Sequence, residues 1–206
     1  PMSQYLSIHP VNPQLRLIKR AVEMIKQGAL VIYPTDSCYA FGCYIGDKDA
    51  LERIRRIREL DDKHNFTLVC RDLSELANYA FVDNATFRLL RNYTPGPYTF
   101  ILRASREVPR RMQVAKRKTI GLRIPDHPVA LSLLEELGEP LMSSTLILPG
   151  DETIMTDPEE MRERLAKKVD LIIDGGNCGF EPTTVVNMED SSYEILRQGK
   201  GEFNLP

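Results

Sequence analysis

Apolar and polar residues alternate along this chain in two distinct rhythms. Residues 12–28, NPQLRLIKRAVEMIKQG, place Leu15, Ile18, Ala21, Val22 and Ile25 on one helical stripe. Asn12 is the expected N-cap, Pro13 suits the first turn, and Gly28 is a stop signal. ALVIYP at 29–34 then reads as a buried strand, and AFGCYI follows the turn PTDSCY as a second. Asp47 is placed to cap a helix over 48–60. FTLVC at 66–70 is a strand; SELANYA and ATFRLLRNY are short helices. YTFILRA at 98–104, opened by the turn residues TPGP, and TIGLRI at 119–124 are further strands. Pro128 starts and Gly138 closes the helix PVALSLLEEL, and Asp157-Pro158 start another. LIIDGG, TTVVNM and YEILRQ give three closing strands.

One stretch fits neither rhythm. In EPLMSSTLILPG, residues 139–150, Ser143, Ser144 and Thr145 interrupt an apolar run predicted as a strand over 140–148. The hydroxyls either face a ligand or bond neighbouring backbone inside the core. Helices alternate with strands, but several strands are also adjacent. The pattern therefore predicts a mixed α/β sheet. There is no repeat and no linker, so residues 1–206 are expected to form a single domain.

Composition sharpens the class. The longest apolar runs are far shorter than the ~18–20 residues of a membrane span. No charged-then-apolar leader opens the sequence, so no secretory signal is expected, and Pro1 reads as an addition before a native start at Met2. Cys38, Cys43, Cys70 and Cys178 form no C-x-x-C pair, and His9, His64 and His127 complete no zinc spacing. Unpaired thiols in apolar surroundings suit a reducing, cytoplasmic compartment, and no metal is expected.

Charge is uneven. Residues 1–123 carry 21 Lys and Arg against 12 Asp and Glu; residues 124–206 carry 6 against 17. Two clusters concentrate the positive charge. RIRRIR at 53–58 lies on a helix, where Arg55 and Arg58 share one face and Arg53 and Arg56 another, with Ile54 and Ile57 inward. The segment 103–118 holds Arg103, Arg106, Arg110, Arg111, Lys116, Arg117 and Lys118 against Glu107 alone, and is expected to be an exposed loop. Such groups grip a nucleic-acid backbone, or simply solvate a surface. Arg55 and the seven cations of 103–118 are the candidate RNA contacts.

Nucleotide fingerprints with glycine-rich phosphate loops are absent, and DGGNCG at 174–179 reads as a tight turn. No serine-nucleophile elbow or Ser-His-Asp set can be argued. Asp36 and His127 are the candidate bases for a hydrolase of an adenylate, and a helix cap is the simpler account of His127.

Several segments in order resemble the YrdC/YciO family, and its YciO branch most of all. They are YPTDSCYAFGC at 33–43, PGPYTFIL at 95–102, GLRIPDHP at 121–128, EPLMSSTLILPG, IIDGG…TTVV at 172–186, and ILRQGKGEF near the end. The resemblance implies a YrdC-like α/β fold: a twisted open mixed sheet, with helices, around a large concave cavity. It implies a reaction in which threonine, bicarbonate and ATP-Mg give threonylcarbamoyl-AMP and pyrophosphate, for modification of tRNA adenosine 37. It also implies binding of double-stranded RNA or tRNA. No tightly bound cofactor is implied, and ATP-Mg enters only as substrate. Carried onto matching positions, it places Thr35 at a threonine-binding turn and Arg123 on a substrate carboxylate. Ser143 and Ser144 become the floor of a nucleotide site, with Thr184 and Arg197 near the nucleotide.

Two departures stand out. Where active members carry Lys-x-Arg-Pro, this chain has Arg56-Ile57-Arg58-Glu59, or Arg58-Glu59-Leu60 with another gap placement. Arg56 and Arg58 are thus candidate phosphate contacts. Where active members carry Ser-x-Asn, it has Thr145 and Ile147, and an isoleucine side chain neither donates nor accepts. The sequence therefore predicts an RNA-binding protein with a nucleotide-type cavity and a weakened synthase signature. The alternative is an active synthase.

Overall fold

The structure is a computed structural model that describes residues 2–61 and 63–206; Pro1, with the reading made of it above, lies outside the described residues. Among these residues ten strands form one sheet. They are β1 (Gln4–Ser7), β2 (Val31–Tyr33), β3 (Ala40–Tyr44), β4 (Thr67–Val69), β5 (Tyr98–Arg103), β6 (Thr119–Arg123), β7 (Leu141–Thr145), β8 (Leu171–Asp174), β9 (Thr184–Asn187) and β10 (Glu194–Arg197). Their order is β1-β8-β2-β3-β7-β4-β6-β5-β9-β10. Four neighbouring pairs are parallel and five antiparallel, so the sheet is mixed as the sequence predicts.

Six α-helices cover it: α1 (Leu15–Lys26), α2 (Lys48–Arg58), α3 (Leu73–Tyr79), α4 (Asn84–Arg91), α5 (Pro128–Leu137) and α6 (Pro158–Leu165). Helices α1 and α5 bury Ile18, Val22, Ile25, Leu133 and Leu134 on one face, against Val31, Leu141, Leu171 and Ile173. The other face packs Phe41, Cys43, Phe100 and Leu122 against residues of α2, α3, α4 and α6. Strand alternation drives this division, because neighbouring side chains leave opposite faces. Leu141 joins the first core and Met142 the second.

Several boundaries differ from the sequence reading. Helix α1 begins at Leu15, not after Asn12. His9 Nδ1 accepts from the amides of Val11 and Asn12, which holds 9–12 as a turn and uses the expected cap residue as a donor. Strand β7 ends at Thr145 rather than 148, because its partner β3 begins at Ala40, opposite Thr145. Strand β1 escaped the pattern; it is short and gains its order from parallel pairing with β8. The basic segment contains a 3₁₀ turn, Arg110–Met112, whose Met112 is buried with Val108. Asp47, Asp157, Pro128 and Gly138 act at the helix ends as predicted. All four cysteines are free, and no helix of the described residues is long and apolar enough to cross a membrane.

The α1–α5 layer flanks the cleft described next, on the same face of the sheet. Leu134 is fully buried there. Leu134→Ala is expected to lower unfolding free energy by ~2–5 kcal/mol, read as a lower urea midpoint with unchanged slope.

Candidate functional site

Beyond the reach of α1 and α5, the same sheet face turns from apolar to hydroxyl-bearing. A cleft there is lined by Tyr33, Thr67, Thr99, Ser143, Thr145 and Thr183, with the turn 35–38 and Arg123 at one side. Its floor encloses about 40 Å³, so only a group of a few atoms fits at the bottom. Two glycines keep it open. The Tyr33 ring crosses over Gly42, where a Cβ would lie 2.8 Å from it, and the hydroxyl reaches Ser143 Oγ at 2.8 Å. A Cβ on Gly121 would lie 3.0 Å from Thr67 Oγ1 and 3.1 Å from the Thr99 methyl. Burial pushes the Tyr33 hydroxyl up to about 12, so it stays neutral.

Arg123 is the one charge on this floor, and only 6% exposed. It pairs with Asp36, donates to Ser37 Oγ (3.1 Å), and reaches the Gly96 carbonyl (3.3 Å). Its Nε has no partner among the described residues. A buried donor left unpaired costs ~1–3 kcal/mol. Asp36 also accepts from the Asp126 amide, and the Lys200 ammonium caps the Asp36 carbonyl. Asp36 is thus held as the partner of Arg123 rather than as a free base. His127 caps α5, its Nδ1 accepting from the Val129 amide.

The other expected ligand residues divide. Thr35 is buried and shapes its own turn: Oγ1 donates to the Cys38 carbonyl and accepts from the amides of Ser37 and Cys38. Ser143 and Ser144 point to opposite faces. Ser143 donates to the Phe41 carbonyl within the cleft face, whereas Ser144 Oγ accepts from Arg58 Nη1 (2.5 Å) and lies 3.5 Å from His64 Nε2. Arg58 also donates through Nε to the Ile147 carbonyl, and burial lowers its pKa. Arg56 does not join this group. It is exposed and lines a separate groove with Arg53, Ile57 and Lys168, because α2 turns it away from the sheet. Thr184 does not face the cleft either: fully buried, it accepts from the Gly199 amide and donates to the Gly201 carbonyl, clamping the last turn. Its neighbour Thr183 takes the cleft position, 2.7 Å from Thr99 Oγ1, and holds Arg197 at the edge. Burial lowers the Arg197 pKa.

Sequence reasoning missed Tyr33, Ser37, Thr67, Thr99 and Thr183 as cleft residues. Period-two reading of β2, β4 and β5 marks some of them as outliers to an apolar face, but their convergence depends on strand order. His64 was also missed. Among the described residues no three His, Cys, Asp or Glu side chains gather as metal ligands.

The basic residues remain on the surface. Arg103, Arg106, Arg110, Arg111, Lys116, Arg117 and Lys118 are all exposed. Some are tethered: Arg111 donates to the Gly46 carbonyl, Arg103 to the Glu189 carbonyl, and Arg117 lies 3.7 Å from the Glu189 carboxylate. Arg55 stacks over the Phe66 ring and donates to the carbonyls of Asp61 and Arg111, joining α2 to the basic segment.

A hydroxyl-lined cleft on a mixed ten-stranded sheet, with a buried arginine at its side, defines an α/β domain with one candidate ligand site. The Sua5/YciO/YrdC family, described as telomere recombination, matches residues 23–199, and this chain belongs to that family. It is 58% identical to YciO of Escherichia coli (strain K12) over 98% of both chains, and the crystal structure of that protein superposes with a TM-score of 0.95. It is 28% identical to a putative threonylcarbamoyl-AMP synthase of Methanocaldococcus jannaschii, over 96% of this chain and 93% of the other. P. abyssi Sua5 complexed with L-threonine matches at 25% identity and a TM-score of 0.87, covering 96% of this chain and 58% of that one.

The behaviour of His64 gives a test of the second face. Burial, then Arg58 and Arg55, lower its pKa from 6.5 to about 4. Between these values the unfolded chain holds a proton that the folded chain does not, so stability falls as pH drops from 6.5 towards 4 and levels off below. Relative to His64→Gln, the native protein is expected to lose stability across that window and match it in pH trend above 6.5. Urea unfolding of both proteins in parallel reads the difference.

Proposed function

We propose that this protein binds structured RNA through its basic face and an adenosine nucleotide or adenylate in the hydroxyl-lined cleft, with a synthase step weakened relative to threonylcarbamoyl-AMP synthases. It would work in the reducing, cytoplasmic compartment. The observation that carries the RNA reading is the exposure of all seven cations of 103–118 on one segment, joined to α2 by Arg55. A-form RNA is gripped through phosphates and 2′-hydroxyls, so double-stranded RNA and tRNA are the partner class. Weakening of the synthase step follows from the missing Lys-x-Arg-Pro signature, in either gap placement, and from Ile147, which stands where active members carry asparagine.

Binding of a tRNA or duplex probe is expected to weaken steeply with salt, by about 0.7–0.9 in log K per unit of log salt for each phosphate neutralised. Changing Arg110, Arg111, Arg117 and Lys118 together to Ala should reduce both the affinity and that slope. Unchanged affinity would exclude this face.

A second reading, an active threonylcarbamoyl-AMP synthase using ATP-Mg, threonine and bicarbonate as substrates, is favoured by one observation. Arg123 lies buried among the cleft's lining residues, where its guanidinium is the one charged group suited to a small carboxylate. The M. jannaschii relative and the threonine complex of P. abyssi Sua5 support it. Pyrophosphate release from ATP that depends on threonine and bicarbonate tests it. On this reading Ile147→Asn should raise that release by about 5- to 150-fold, the worth of one recovered hydrogen bond. No release above a no-threonine control in either protein sinks it.

A further inference from the structure

An aromatic side chain stands in the open beside the basic segment. Phe81 is 67% exposed, in a chain that buries most of its large apolar side chains. It is not on a loose loop. Ala80 forms an antiparallel bridge with Ala104, and the Phe81 amide donates to the Arg103 carbonyl at 3.0 Å. The next residues, Ala104 and Ser105, are held in turn by the Lys118 and Tyr79 carbonyls. Ala80 points into the core and Phe81 out of it, as strand alternation requires.

Phe81 forms one wall of a groove of about 650 Å³ whose rim carries Arg106, Arg110 and Lys118. None of these three cations forms an ion pair with another of the described residues. The groove bottom is anchored: Val108 is buried, and Gln113 Nε2 donates to the Val108 carbonyl at 2.9 Å. Lys118 sits at φ 56, a left-handed conformation in which its backbone N–H donates a hydrogen bond to the Val114 carbonyl. The result is an exposed aromatic ring on a hydrogen-bonded backbone, beside three cations without ion-pair partners among the described residues. A duplex presents phosphates but keeps its base faces stacked, so it leaves such a plane unused. An unpaired nucleotide offers both a phosphate and a free π-face.

We propose that this groove is a binding subsite for an unpaired nucleotide of RNA, the base stacking on Phe81 and the flanking phosphates meeting Arg106, Arg110 and Lys118. The proposal rests on the RNA-binding reading and narrows it: the target is RNA with a single-stranded loop, bulge or end beside its paired part.

Two labelled probes test it by fluorescence anisotropy at one salt concentration: a short single-stranded oligo-uridylate and a blunt RNA duplex of equal length. Phe81→Ala is expected to weaken oligo-uridylate binding by about 5- to 150-fold, the range for loss of one stacked base, and to leave the duplex unaffected. Phe81→Tyr should keep wild-type affinity for both. The double variant Arg110→Ala, Lys118→Ala should weaken both probes and flatten their salt dependence. If that double variant weakens binding while Phe81→Ala changes neither probe, the face binds RNA but the stacking subsite is wrong. If the wild-type protein binds neither probe, the RNA reading falls and this proposal with it. Loss of a protein partner in Phe81→Ala, with RNA affinity intact, would assign the groove to protein docking and overturn the proposal.

Discussion

The ion pair between Arg123 and Asp36 is the constraint on which the cleft depends. A guanidinium taken out of water must be matched, and breaking a buried pair by removing one partner costs ~3–5 kcal/mol. Here the match recruits several separate chain segments. Asp36 lies on the turn after β2, Gly96 before β5, and Asp126 before α5, and each contributes an atom to Arg123 or to its partner. Satisfying one charge on β6 therefore fixes how three loops meet. Arg123 Nε is left without a partner among the described residues.

Around that pair the sheet places hydroxyls where an ordinary sandwich would place valines. Hydroxyl groups donate and accept with little rearrangement, so a floor of Ser, Thr and Tyr suits an oxygen-rich ligand. Burying them is tolerable because each finds a partner nearby: Ser143 the Phe41 carbonyl, Thr99 the Thr183 hydroxyl, Thr35 the Cys38 carbonyl. The other cations are kept apart. Arg58 and His64 meet Ser144 on the reverse side of β7, and the exposed cations of 103–118 lie on the surface.

Most of the fold is legible in the sequence, because its helices carry strong stripes and clear end signals. Asp47 and Gly138 act locally and need no tertiary information. Strand β1 is illegible because four residues paired with β8 carry no period of their own. The site is legible only in pieces. Thr35, Arg123, Ser143 and Thr145 do line the cleft, and Ser144 borders it although its hydroxyl meets Arg58. Arg56 and Thr184 do not, since a one-residue step on a helix or strand decides which way a side chain points, and sequence alone leaves that step open. The cleft residues Thr67 and Thr99 come together through strand order β7-β4-β6-β5, a non-local property.

The paired serines of β7 have one more consequence. Side chains alternate in a strand, so sliding it by a single residue exchanges its two faces. In Leu141-Met142-Ser143-Ser144 a slide one way puts Met142 in the place of Leu141 and Ser144 in that of Ser143, and the one change of character is Ser143 in the place of Met142. The strand's own composition is therefore nearly indifferent to its alignment. What discriminates lies on its neighbours: the Tyr33 ring covers Gly42 on β3 and its hydroxyl meets Ser143, so a slide that brought Met142 to that place would leave the hydroxyl without its partner. Strand β7 is aligned by its neighbours, and the information for its placement is written in β2 and β3.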